Sequence, residues 1–159
     1  MTATSPTSWK AEAGVQVDFY QLGDMPLEQV IASISEKLLS QDARLVIVAE
    51  DEHLLARLNR MLWDQGPTSF LPHALAGHAD DARQPILLAA SPDAPNQARN
   101  ILIADGQWRE AALTYDRAFH LFDENNVEDA RLAWKLLAGR EGVERRYWKR
   151  EGGRWTQAA

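Results

Sequence analysis

The sequence predicts an α/β protein: a Rossmann-like three-layer fold with a mostly parallel central sheet flanked by helices. Three observations predict it. Arg44-Leu45-Val46-Ile47-Val48-Ala49 and Ile86-Leu87-Leu88-Ala89-Ala90 are nearly continuous apolar runs of strand length, the form a strand takes when helices cover both faces of a parallel sheet. Between such runs apolar residues recur every three or four positions, as in Val30, Ile31, Ile34 and Leu38, which is the period of an amphipathic helix. Strand and helix patterns also alternate along the chain, and a strand–helix–strand unit within one sheet takes a right-handed crossover.

The elements follow in order. Residues 1–14 are rich in Ser, Thr and Ala without a period, and read as a loose leader ahead of a single α/β domain over 15–159. Val15 to Leu22 has period-2 character with β-branched and aromatic residues, so it is the first strand. Gly23-Asp24-Met25-Pro26 supplies a turn and a helix start, with Asp24 or Met25 near the cap and Pro26 in the first turn of a helix over Leu27–Leu39. After the Arg44–Ala49 strand, Glu50-Asp51-Glu52 places carboxylates at a helix N-terminus, and Leu54, Leu55, Leu58, Met61 and Leu62 carry the helix to Trp63. Gly66-Pro67 ends it, Ser69 to His73 is a short extended segment, and residues 74–84 read as an exposed loop. Further strands fall at Ile86–Ala90, Asn100–Ala104 and Ala118–Asp123, with a short helix or tight turn over Trp108–Tyr115. Glu124-Asn125-Asn126 leads into a helix over Val127–Ala138, and Val143 to Trp155 forms an edge strand or a hairpin around Gly152-Gly153.

Composition narrows the chemistry. The 159 residues include no cysteine, so the chain has neither a disulfide nor a nucleophilic thiolate, and any zinc site would rest on His and carboxylates. This usage and the absence of an apolar run near the roughly 20 residues of a membrane helix lead us to expect a cytoplasmic protein. A net charge of −6 argues against a general grip on nucleic-acid phosphate. The charge is unevenly placed: residues 1–127 hold 9 Lys and Arg against 18 Asp and Glu, whereas 128–159 hold 8 against 5. A solvated face would explain a charge run alone, but here the cations are interleaved with Trp134, Tyr147, Trp148 and Trp155.

Enzymatic motifs are scarce. Neither a G-x-G-x-x-G nor a G-x-x-x-x-G-K-[ST] phosphate loop occurs, and Gly23 reads as a turn residue. His73 and His78 with Asp80 and Asp81 lack a helix to fix their spacing, so no metal or cofactor is expected. Glu50, Asp51 and Glu52 could serve as acid–base groups at a strand's carboxyl end, but solvation of a helix start explains them better. On a helical wheel, Val127, Arg131, Trp134, Lys135 and Ala138 share a sector of about 100°. This either places Trp134 in the core with solvated cations beside it, or forms a pocket for a short acidic and aromatic peptide.

Several fragments in order resemble the chi subunit family of bacterial DNA polymerase III. They are Asp18-Phe19-Tyr20-Gln21-Leu22, the run Leu45–Glu52, Leu62-Trp63 followed by Ser69-Phe70-Leu71-Pro72-His73, Gln84–Leu88, and the tail Ala130-Arg131, Trp134-Lys135, Tyr147-Trp148 and Gly153-Arg154-Trp155. The resemblance implies a non-catalytic accessory subunit of the polymerase holoenzyme. Such a subunit links the psi subunit of the clamp loader to the acidic, Phe-terminated C-terminal tail of single-stranded-DNA-binding protein, and meets DNA mainly indirectly. Carried over by position, the tail-binding set is Trp63, Phe122, Arg131, Trp134 and Lys135. The psi-facing set is Phe70, Leu71, Pro72 and His73. Where many members carry a Lys early in the final helix this chain has Val127, which leaves that role to Arg140 or another tail residue. Two other readings stand beside it: a small Rossmann-like nucleotide-binding enzyme, and a direct single-stranded-DNA binder using Trp148 and Trp155 with Arg145, Arg146 and Lys149.

Overall fold

The computed structural model describes residues 14–64 and 71–159. Its core is an eight-stranded sheet in the order β3-β4-β2-β5-β6-β1-β7-β8, parallel except at the last pair. The strands are β1 (Val15–Gln21), β2 (Leu45–Val48), β3 (His73–Leu75), β4 (Ile86–Ala89), β5 (Asn100–Ile103), β6 (Arg117–Phe122), β7 (Val143–Glu151) and β8 (Arg154–Gln157). Three α-helices, α1 (Leu27–Ser40), α2 (Glu52–Trp63) and α3 (Val127–Leu136), cover it from both sides, with 3-10 turns at Asp81–Arg83 and Glu110–Thr114.

Alternation along the strands divides the core into two layers. Leu45 and Ile47 of β2, Leu102 of β5 and Leu121 of β6 pack under α1 and α2 with Ile31, Leu38, Leu55, Leu58 and Leu62. Val46, Val48, Ile101, Ile103, Val17, Phe19 and Phe122 face the other way, under Ala130, Ala133 and Leu137 of α3. Residues burying both neighbours of every pleat explain why the LVIV run carries no polar alternation.

Boundaries shift where local chemistry decides them. Pro26 is the N-cap of α1, in extended conformation, rather than part of its first turn. Asp51 caps α2 by accepting the His53 backbone N–H at 2.9 Å. β3 joins His73, the end of the expected extended segment, to Ala74 and Leu75 of the expected loop, and its three residues pair in parallel with β4; three residues are too few to display a period. The Gly66-Pro67 break and Ser69-Phe70 of the Ser69–His73 segment lie outside the described residues, as does all but Gly14 of the expected leader.

Of the two readings of the C-terminal region, the structure takes the hairpin around Gly152-Gly153. β7 is not an edge: Val143 to Lys149 pair in parallel with Val15 to Gln21, and β8 folds back antiparallel as the edge strand. The two-residue turn needs positive φ at both positions, which Gly152 (57°) and Gly153 (77°) provide. At the other end of β7, a Cβ on Gly14 would lie 2.0 Å from the Gly142 carbonyl oxygen, so the pair of strands starts side by side only because that atom is absent.

One buried carboxylate ties this corner together. Asp18, fully buried in β1, accepts from Arg117 Nε of β6 at 2.8 Å, Trp148 Nε1 of β7 at 2.9 Å and Gln16 Nε2 at 2.9 Å. Three donors from three strands satisfy a charge that would otherwise be costly to bury.

Candidate functional site

α3 is amphipathic with an unusual margin. Ala130 and Ala133 of α3 and its C-cap Leu137 are buried, and the small size of the two alanines lets the helix sit close to the sheet. Trp134, one position from that stripe, lies half-buried on the flank that faces β7. Its ring meets Phe19 edge-on at 5.3 Å and Tyr147 edge-on at 5.7 Å. Along β7, Val143, Arg145 and Tyr147 alternate onto the α3 side, where Val143 and Tyr147 join the core layer. Arg145 lays its guanidinium over the Trp134 ring at 3.9 Å and donates from Nη1 to the Trp134 carbonyl oxygen at 2.7 Å.

The remaining cations rim this seam. Arg131 is exposed and pairs with Glu128 at 2.9 Å, an ion pair open to water on both sides and easily exchanged. Its charge nevertheless reaches Tyr147: burial raises the Tyr147 hydroxyl above its ordinary range and Arg131 draws it partly back. The same hydroxyl bonds Gln21 Oε1 of β1, fixing the ring. Lys135 is exposed one position beyond Trp134.

The expected tail set therefore divides. Arg131, Trp134 and Lys135 share one surface, and Phe122 supports it from beneath, its ring 5.8 Å from Tyr147, while being 1% exposed and so closed to a guest. Trp63 does not join them. It sits at the end of α2 under the opposite face of the sheet, its ring 4.5 Å from His73, so the position carried over from the family resemblance is separated from α3 by the sheet. Trp63 lies instead beside His73 of the expected psi-facing set. Of that set, Leu71 and His73 are buried at 4% exposure each and can only back a contact surface, Pro72 is half-buried, and Phe70 lies outside the described residues. His73 is pinned there, its Nδ1 2.5 Å from the Leu71 carbonyl oxygen and its Nε2 3.0 Å from that of Asn59.

Val127 is half-buried against the α3-side layer. Arg140, the other cation considered for its missing charge, is turned away and bound to Glu110 at 2.7 Å. Arg145 and Tyr147, which complete the seam, could have been recognised from the sequence by period-2 alternation across Val143, Arg145 and Tyr147 once that segment was taken as a strand covered by α3.

Other candidate chemistry resolves into structure. A cleft of about 500 Å³ opens at the carboxyl ends of β2 and β5, where nucleotides bind in many open α/β sheets. Its walls are Glu50, Asp51, Glu52, His53, Asp105 and Gln107, an acidic lining that repels phosphate. Asp105 is occupied: burial pushes its carboxyl up, but hydrogen bonds from Arg109 and from the backbone of Glu50 and Gln107 outweigh this and hold it below the usual range. Among the described residues no group of three or more His, Cys, Asp or Glu side chains could hold a metal ion. The residues of the direct DNA reading split across the sheet. Trp148, Arg146 and Trp155 lie towards the α1 side and Arg145 and Lys149 towards α3, so they do not form one stacking platform. No helix among the described residues is long and apolar enough to cross a membrane.

Fold and surface together define a Rossmann-like α/β domain with an acidic body and a cationic, aromatic seam between its last helix and the strand that follows. The family model described as "DNA polymerase III chi subunit, HolC" matches residues 15–144, and the chain belongs to this family. A curated relative, DNA polymerase III subunit chi of Escherichia coli (strain K12), is 32% identical over 78 residues, covering 49% of this chain and 53% of the relative. The match thus spans about half the length of that relative.

Proposed function

We propose that this chain is a non-catalytic accessory subunit of DNA polymerase III that uses the α3–β7 seam to bind the acidic, Phe-terminated tail of single-stranded-DNA-binding protein. The observation that carries the reading is the cation set around one half-buried aromatic: Arg131, Lys135 and Arg145 surround Trp134 on a chain whose net charge is −6. An acidic body is repelled by DNA phosphate, whereas a local cationic patch recruits an acidic protein that sits on DNA. The tail's apolar end packs against Trp134, and its carboxylates pair with the cations. Such a small contact is on the order of micromolar and weakens with salt.

The Trp63–His73 corner on the opposite face fits the psi-facing surface, and Trp63 is 57% exposed there. Two partners on opposite faces of one sheet can be held at once, which is what a linking subunit requires. Its place of work is the cytoplasm, at the replication fork.

Titration of a labelled acidic peptide ending in Phe tests the tail assignment. Arg131→Ala weakens binding by about 1 kcal/mol, roughly fivefold, because its exposed pairing is screened, and Trp134→Ala weakens it by about 2 kcal/mol through loss of the aromatic anchor. Unchanged affinity in both variants would remove the site.

A further inference from the structure

Arg145 differs from the other cations of the seam in how it is held. It lies on β7, and among the described residues no carboxylate pairs with it; its contacts are the Trp134 ring at 3.9 Å and the Trp134 carbonyl oxygen at 2.7 Å. That carbonyl belongs to the last turn of α3, whose final C=O groups lack intrahelical donors. The acceptor is neutral and sits at the negative end of the helix dipole, so it orients the guanidinium without cancelling its charge. The planar fork engages this carbonyl through one nitrogen, and its other N–H groups remain to bind an anion. The side chain is half-buried, so its charge acts in a lower dielectric than that of Arg131, which is exposed and shared with Glu128.

The position adds a geometric constraint. In a peptide that ends in an aromatic residue, ring and terminal carboxylate hang from the same Cα. The cation that takes the carboxylate must therefore lie within a few ångströms of the surface that takes the ring. Arg145 is stacked on Trp134 itself, whereas Arg131 and Lys135 rim the seam from the helix's outer side.

We propose that Arg145 is the receptor for the terminal carboxylate of the bound tail, so that the peptide ends in the seam between α3 and β7, and Arg131 and Lys135 take the acidic side chains that precede the end. The proposal rests on the tail-binding reading above. It makes Arg145 the residue that selects a free C-terminus over an internal acidic–aromatic sequence.

A double-mutant cycle with two peptides tests it: one acidic peptide ending in Phe with a free carboxylate, and the same peptide amidated. For the wild type, amidation weakens binding about tenfold, the size of one charge-assisted hydrogen-bonded pair partly screened by water. For Arg145→Gln, which keeps most of the stem over Trp134, the free-acid peptide binds about tenfold more weakly and amidation has no further effect, since the two changes remove the same interaction. Arg145→Lys keeps the charge but not the fork and recovers part of the discrimination. An amidation penalty equal in wild type and Arg145→Gln overturns the assignment while leaving the tail reading intact. Failure of the wild type to bind either peptide overturns both. Near-ultraviolet circular dichroism of Arg145→Gln matching the wild type shows that the Trp134 surroundings are preserved.

Discussion

Asp18→Asn lowers the stability of this protein by about 3 kcal/mol and its melting temperature by roughly 10 °C. The carboxylate is fully buried and is the shared acceptor for Arg117, Trp148 and Gln16. An amide keeps the shape, but it turns an NH2 group towards donors and leaves the Arg117 guanidinium, 31% exposed, without its counter-charge. The three donors come from β6, β7 and β1, so the damage falls on the corner that holds β7 in register. Thermal unfolding gives the loss, and the Trp148 indole N–H resonance reports its origin, because that proton loses its carboxylate acceptor. A variant as stable as the wild type would show that the hydrogen bonds to Asp18 contribute nothing beyond packing.

The second large effect is a dependence of stability on pH that one side chain carries. His120 of β6 is fully buried, and neither ring nitrogen has a hydrogen-bond partner. Its ring packs among Phe19 at 5.2 Å, Trp108 at 5.7 Å and Phe122 at 6.2 Å. Burial lowers its pKa to about 4 from an ordinary 6.5, with Asp105 pulling it up and Arg109 pushing it down to smaller degrees. Below pH 6.5 the unfolded chain binds a proton that the folded protein refuses, so stability rises with pH across this window. The contribution is fully present above pH 6.5 and is lost progressively down to about 4, a total of about 3 kcal/mol.

His120→Leu removes the window. It deletes two buried unsatisfied nitrogens and loses the ring contacts, so at pH 7 its stability stays within about 1 kcal/mol of the wild type. At pH 5 it is the more stable protein by about 2 kcal/mol relative to that baseline. Urea unfolding at the two pH values measures this. Parallel losses in both proteins would place the acid sensitivity in the carboxylates alone.

The sheet was legible because its strands are buried on both faces: LVIV and ILLA announce themselves without context. Helix spans followed from the apolar period, with ends settled by caps such as Asp51. What periodicity could not supply was neighbourhood. β3 is three residues long, and β7 reads as an edge strand or one arm of a hairpin until its pairing with both β1 and β8 is known. The same limit applied to the site. Arg131, Trp134 and Lys135 fall on one helix, so the 3.6-residue repeat placed them together. Arg145 lies in a different element, and only the crossover of α3 above β1 brings it onto Trp134. Trp63, expected from the family resemblance, lies apart from them because a helix on the far side of the sheet carries it.

Chemical-shift mapping with the free-acid tail peptide tests the seam most directly, because it reads every tryptophan indole in one titration. The Trp134 indole, the Arg145 side chain and the Tyr147 amide shift in a saturable, salt-sensitive way, while the Trp63 and Trp148 indoles stay where they are. Shifts centred on Trp63 and His73, with Trp134 unmoved, would contradict the assignment of the tail to α3 and β7.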